Sequence, residues 1–268
     1  MSAQSALAGE GARAASGHPP RAWKGVGLAL LVIGAWLAVE VTGLFLLPLP
    51  LAALLAPLAT FLYVGLFITA HDALHGTVAP GHPRLNRALG RIALALYAGF
   101  SERALAAAHA RHHATPATGG DPDYSRGERY LPWLAGFAWH YLSLVQVAGL
   151  ALVGNVLIHV CGVRPAQLVI VWVAPALASA LQLFTFGTWL PHRTPPGGHA
   201  DRHRARSLAL SPIWSFLTCW HFGGRHHQHH LDPSLPWWRL GATAAEKPRA
   251  ASGAPWSPAP ASGACPRR

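Results

Sequence analysis

Eight histidines fall into three tight clusters, and each cluster lies at or beyond the end of a long apolar segment. The clusters are His71 with His75, His109 with His112 and His113, and His226 with His229 and His230. Imidazole is the commonest protein ligand for iron, copper and zinc. Residues three or four apart share one face of a helix, so the members of each cluster could converge. Eight ring nitrogens exceed what one zinc ion needs, and the pattern therefore indicates two metal ions.

Further polar residues close to these clusters could support metal ligands. Asp72, Asp121 and Asp123 are candidate acceptors for the second N–H of a ligating ring, which would fix its tautomer and orientation. His221 and His227 flank the third cluster. Because His226, His229 and His230 already complete that cluster, we predict an outer or substrate-side role for these two histidines.

The elements that position the histidines are predicted to be membrane helices. The chain of 268 residues is 51% hydrophobic and only 12% charged, whereas soluble domains carry about 25% charged residues. Long apolar runs cover residues 25–47, 49–70, 133–158 and 165–190, and a helix of ~20 residues crosses a bilayer core. We predict an all-α integral membrane protein with four transmembrane helices in two hairpins. Residues 89–108 contain three charges and predict an interfacial helix.

The distribution of charge predicts which side of the membrane carries the clusters. Of the 21 Lys and Arg residues, 20 precede the first run, lie between the second and third, or follow the fourth, and only Arg164 remains for the other side. By the positive-inside rule, both termini and all three clusters are cytoplasmic, and the net charge of +11 does not indicate nucleic acid binding. We predict a flexible N-terminus over 1–24, a membrane domain over 25–240 with a cytoplasmic His-rich cap, and a disordered tail over 241–268.

The composition of the clusters favours redox chemistry over hydrolysis. A zinc metalloprotease helix needs His-Glu-x-x-His with the glutamate as general base, and the first cluster has Asp72 in that place. Soluble di-iron bundles use Glu-x-x-His pairs, which none of the three clusters contains. Ligation by histidine alone, at the end of apolar helices, suits iron that activates O2 against a lipid-soluble substrate.

The spacing of the clusters also resembles a known superfamily. His-x-x-x-His followed by two His-x-x-His-His boxes is similar to the membrane fatty acid desaturases and hydroxylases, and the resemblance covers residues 26–240. The linking segments 96–101, 186–193 and 236–240 resemble bacterial beta-carotene ketolases. That resemblance implies two iron ions, O2 as co-substrate and a ferredoxin-type electron donor at the bacterial inner membrane. It implies oxidation of the C4 methylene of a β-ionone ring to a ketone, by successive hydroxylation and loss of water. It also implies an additional ligand near His192.

Two other functions remain open from the residues alone. An acyl-lipid desaturase or hydroxylase would use the same histidine boxes on a different substrate. A metal transporter or sensor is less well supported, because transport needs ligands within the spans and a path across the membrane. The sequence leaves open the acceptance of hydroxylated rings, whether one or both rings are oxidised, the identity of the electron donor and the oligomeric state.

Overall fold

The computed structural model describes residues 22–242, and within that range all regular secondary structure is helical. The predicted terminal segments 1–24 and 241–268 lie almost wholly outside the described residues. The helices are α1 Ala22–Leu46, α2 Leu49–Ala53, α3 Ala56–Leu74, α4 Pro83–Ala98, α5 Glu102–Ala114, α6 Tyr130–Tyr141, α7 Leu144–His159, α8 Pro165–His192, α9 Pro212–Cys219, α10 His226–Leu231 and α11 Trp237–Leu240.

Three of these helices are long and apolar enough to cross a membrane. They are α1, α3 and α8, with 25, 19 and 28 residues. Helix α8 includes two π-helical turns, Val169–Val173 and Phe184–Trp189, and α1 ends in a third, Thr42–Leu46. The prediction of an all-helical protein with long apolar helices is confirmed.

The third predicted span is broken. Helices α6 and α7 meet at 83° instead of forming one straight helix through 133–158. Leu142 is extended, and Ser143 starts α7 with a capping box in which its side chain and that of Gln146 satisfy each other's backbone N–H groups. The 133–158 run is therefore not one continuous helix, and residues 22–242 contain three helices long and apolar enough to cross a membrane, or four if the bent pair counts as one.

The predicted interfacial stretch is also two helices. Gly99 ends α4 in the left-handed conformation with φ 66°, and Ser101 caps the start of α5. Helix α4 packs closely on α3, because a Cβ on Gly90 would lie 2.7 Å from the Ala73 side chain. Asn86 fixes this contact by donating to the Ala73 carbonyl oxygen at 2.6 Å. Helix α4 therefore runs back along α3. Helix α5 then brings its own histidines to the end of α3 where His71 and His75 lie.

A core of aromatic and aliphatic side chains holds α1, α3 and α4 together. Tyr63 on α3 is fully buried. Its ring meets Trp36 of α1 at 5.3 Å and Tyr97 of α4 at 6.0 Å, both in edge-to-face geometry. This packing fixes α3 against its neighbours, so that His71 and His75 occupy a defined place at one end of the bundle.

Candidate metal centre

All nine predicted ligands come together at one end of the helices, in two groups. Helices α3, α5, α8 and α10 contribute them. The first group is His71, His75, His109, His113 and His229, and the second is His112, His192, His226 and His230. Within each group the candidate ligand nitrogens lie within 4.8 Å of one another. That these nitrogens bind metal stays a prediction.

The two His-x-x-His-His boxes divide their residues between the groups in reciprocal ways. On α5, His109 and His113 face each other across one turn with their Nε2 atoms 3.1 Å apart, and His112 turns to the second group. On α10, His226 and His230 form the corresponding pair at 3.1 Å, and His229 turns to the first group. Each box therefore gives two nitrogens to one group and one to the other, whereas the sequence predicted that each cluster would converge as a unit.

The Nε2 atoms within each group face one another at short range. His75 and His109 have Nε2 atoms 2.8 Å apart in the first group. His192 and His226 have the same separation in the second group. Several imidazole nitrogens directed at a common point form the donor set that iron and other transition metals bind. The arrangement fits one ion in each group.

Burial keeps most of these rings neutral, which is the state that binds metal. Burial lowers the pKa of His75 to about 4. Burial and the neighbouring His112 lower that of His226 to about 3. The pKa values of His109, His229 and His230 are lowered in the same direction by burial and by adjacent rings.

His112 differs because two carboxylates face its outer nitrogen. Its Nδ1 lies 3.0 Å from Asp121 Oδ2 and 3.6 Å from Asp123 Oδ2. Burial lowers the pKa of His112, but the hydrogen bond to Asp121 and the charges of both carboxylates outweigh it and raise the pKa. Asp121 is itself held by the backbone N–H groups of Ala117 and Asp123, each at 2.8 Å. The contact orients the His112 ring, and the supporting role of Asp121 and Asp123 toward a metal ligand stays a prediction.

His192 is oriented by a backbone group that the sequence could not indicate. The side chain is 1% exposed, and its Nδ1 donates to the Arg204 carbonyl oxygen at 2.9 Å. The segment that follows α8 folds back over it, with the Arg206 N–H donating to the Pro191 carbonyl oxygen at 3.0 Å.

Three other predicted supporting residues lie farther from the ligands or face other partners. Asp72 Oδ1 is 3.8 Å from His71 Nδ1, too far for a hydrogen bond, and its Oδ2 accepts from the backbone N–H of Trp237 at 3.1 Å. His221 has its Nδ1 3.3 Å from Ser215 Oγ. His227 pairs with Asp201 at 2.7 Å. Both histidines lie outside the two groups.

An apolar cavity of about 640 Å³ opens from the histidines into the bundle. His71, His109 and His229 line one end of it. On α8 its wall runs from Leu168 to Thr188, which is roughly 30 Å at 1.5 Å per residue. The volume is in the usual range for small-molecule sites, and the shape suits an elongated apolar ligand.

Comparison with known proteins agrees with the fold and the histidine groups. The family model "Fatty acid desaturase" matches residues 46–167 and 141–259. The chain therefore belongs to the fatty acid desaturase family. It is similar to a "Beta-carotene ketolase" of Paracoccus sp. (strain N81106 / MBIC 01143), with 45% identity over 79% of this chain and 88% of the relative. A second "Beta-carotene ketolase", of Paracoccus sp. (strain PC1), is 44% identical over 81% of this chain and 91% of the relative.

A third relative has a different named substrate. The "Zeaxanthin 4-ketolase" of Chlamydomonas reinhardtii is 39% identical over 83% of this chain, and the match covers 54% of that relative. The resemblance to beta-carotene ketolases noted in the sequence is confirmed by these matches.

Proposed function

We propose that the protein is an O2-dependent oxygenase that converts the C4 methylene of the β-ionone rings of β-carotene to a ketone. The observation that carries the proposal is the elongated apolar cavity that ends on two groups of histidines. The named activity of the Paracoccus relatives supports this substrate. An acyl-lipid desaturase or hydroxylase is the alternative, and the named relatives do not favour it.

The two histidine groups would hold two iron ions. The donor set fits, because the rings are buried or half-buried, mostly neutral, and offer nitrogens that lie within 4.8 Å of one another in each group. When bound, the iron pair would activate O2 and supply the oxidising power for C–H cleavage. The protein's own contribution is to fix the nine imidazoles, through contacts such as Asp121 with His112.

The cavity would position the substrate and keep water away from the reacting carbon. Phe67, Tyr97 and Phe100 line its wall and offer flat apolar faces to a conjugated chain. A β-ionone ring placed against His109 and His229 presents its C4 atom to the two histidine groups. The C4–H bond is weakened because C4 is allylic to the ring double bond, so this position is the preferred site of attack.

The reaction balances with an external reductant. Each hydroxylation consumes one O2, two electrons and two protons, forms one C–OH group and releases one water. The second hydroxylation at the same carbon gives a geminal diol, which loses water to leave the ketone. We propose a ferredoxin-type protein as the source of the electrons.

The position of two candidate ligands suggests where electrons enter. His75 and His113 are half-buried and do not line the cavity, whereas His71 and His109 of the same group do line it. We infer that electrons enter from the side of the protein on which His75 and His113 lie. We propose that this side faces the cytoplasm of a bacterium, with the apolar helices in the inner membrane and both termini cytoplasmic. The 20-to-1 distribution of Lys and Arg supports that orientation.

Expression in bacteria that already make β-carotene tests the proposed function. Chromatography of the pigments should show echinenone- and canthaxanthin-type ketones, absorbing at longer wavelength because the carbonyl extends the conjugated system. A variant with His109→Ala and His226→Ala, lacking one nitrogen from each group, should leave β-carotene unchanged. A rise in fatty-acid unsaturation with unchanged carotenoids would overturn the ketolase proposal in favour of the acyl-lipid alternative.

A further inference from the structure

Asn155 is a polar side chain in the apolar wall of the cavity, at the end far from the histidines. It lies on α7 among the lining residues Ala151, Gly154 and Ile158. Its amide nitrogen donates to the Ala151 carbonyl oxygen at 2.8 Å, and the amide oxygen has no hydrogen-bond partner among residues 22–242. The side chain is exposed and lines the cavity, so a ligand there can reach it. A polar group at such a place in an apolar segment is costly and is a candidate for function.

The contacts of its neighbour show how far Asn155 is from the metal centre. A Cβ on Gly154 would lie 3.5 Å from the side chains of both Leu168 and Trp172, so α7 meets the beginning of α8 here. From Trp172 to His192 the chain advances 20 residues along α8, which is roughly 30 Å. Asn155 therefore stands at the opposite end of the cavity from the histidines.

The chemistry at this end differs from that of the rest of the wall. Along α7 and the first half of α8, the lining is apolar except for Asn155 and the indole of Trp172. An indole can only donate a hydrogen bond, whereas a primary amide both donates and accepts. Asn155 can therefore pair with a hydroxyl or with a ketone. An unoxidised ring is entirely hydrocarbon and has no partner to offer.

A carotenoid is a long, rigid molecule with a ring at each end. When one ring is at the histidines, the other extends toward Asn155. We propose that Asn155 hydrogen-bonds an oxygenated far ring, so that the cavity favours carotenoids whose second ring already carries a hydroxyl or a ketone over β-carotene. This inference rests on the proposed function and specifies its substrate class.

One consequence concerns the order of the two oxidations. After the first ring has been oxidised, the molecule must leave and re-enter in the reverse direction to present its second ring. The new ketone then lies at the far end of the cavity, where it accepts a hydrogen bond from the amide of Asn155. Re-entry of the mono-ketone is thereby favoured over entry of unoxidised β-carotene, so the second oxidation follows the first.

Competition between two substrates tests the inference. Membranes containing the iron-loaded protein are given equal amounts of β-carotene and of its analogue hydroxylated on both rings, and the ratio of their ketone products is measured. Asn155→Leu should lower the share from the hydroxylated substrate about five-fold, the effect of one hydrogen bond. Asn155→Ser, which keeps a donor and an acceptor, should retain most of the preference. Val156→Leu is the matched control, because Val156 is on the same helix but outside the cavity lining.

A second readout does not depend on the reaction. Iron-free protein is titrated with each carotenoid, and binding is followed by the change in visible absorption. Asn155→Leu should weaken binding of the hydroxylated carotenoid relative to β-carotene. If both ratios stay unchanged while β-carotene is still oxidised, the inference is wrong and the proposed function stands. If the unaltered protein neither binds nor oxidises either carotenoid, the proposed function fails and the inference falls with it.

Discussion

The imidazole rings of His113 and His230 stack 4.5 Å apart at an interplanar angle of 28°, although each belongs to a different group of candidate ligands. They come from α5 and α10, which are more than 100 residues apart in the chain. The contact places the two groups side by side. The cavity reaches both groups, through His109 of the first and His230 of the second.

Asp121 should raise the affinity of the second group for iron. We expect Asp121→Asn to weaken iron binding about ten- to hundred-fold, because it removes the charged acceptor that orients His112. Competition with an iron chelator measures the effect. Asp201→Asn is the matched control, since Asp201 also faces a histidine, His227, but outside both groups. Equal affinities for the two variants would refute the role of Asp121.

His192 should be a ligand of the second group only. His192→Ala leaves that group three imidazoles, so we expect the purified protein to lose iron from one site and keep it at the other. Iron analysis per chain is the measurement. His227→Ala provides the comparison, because it removes a neighbouring histidine whose Nε2 pairs with Asp201. Full iron content in His192→Ala would show that the ring is structural.

Acid should destabilise the iron-free protein. Burial lowers the pKa of His75 to about 4 and that of His226 to about 3, from 6.5 in each case. Below pH 6.5 the unfolded chain takes up protons on these rings and the folded chain does not, so the free energy of unfolding falls as the pH falls. Melting temperatures in detergent at pH 7.5 and 5.5 test this. The variant with His75→Gln and His226→Gln should show a smaller difference between the melting temperatures at the two pH values. A difference equal to that of the unaltered protein would contradict the lowered pKa values of these two rings.

The orientation in the membrane can be tested with reporters. A reporter fused after Leu240, and another inserted between Gly119 and Gly120, should both report the cytoplasm, because these positions lie in segments rich in Lys and Arg and the positive-inside rule assigns such segments to that side. An insertion after Gly162, in the connection between α7 and α8, should report the opposite side. A periplasmic signal from the insertion between Gly119 and Gly120 would be incompatible with the proposed orientation.

The sequence predicted which residues meet at the centre more reliably than how they divide. Histidine type and spacing indicated eight of the nine candidate ligands, because i, i+3 and i, i+4 spacing on a helix is a local property, and the family resemblance added His192. The assignment of His112 and His229 to groups other than those of their box partners depends on how α5 and α10 face each other. Such a relationship between distant helices leaves no mark in local spacing.

Other features were missed for physical reasons that differ from case to case. The orienting acceptor of His192 is the backbone carbonyl of Arg204, and every residue carries such a group. The break between α6 and α7 did have a signal, since Ser143 and Gln146 have the spacing of a capping box. This capping box was not recognised, because apolar residues continue on both sides of it. Because the break ends α6 at Tyr141, the sequence also did not indicate that this residue hydrogen-bonds Asp123 and lines the cavity.

Counting the metal ions in active protein tests the account most directly. The protein is purified in detergent without added metal, and its content is measured by elemental analysis and by Mössbauer spectroscopy of protein produced with labelled iron. The division of His112 from His113, and of His229 from His230, predicts two iron ions per chain, each bound by imidazole nitrogens of one group. Fully active protein that contains zinc alone, or at most one iron ion per chain, would contradict it.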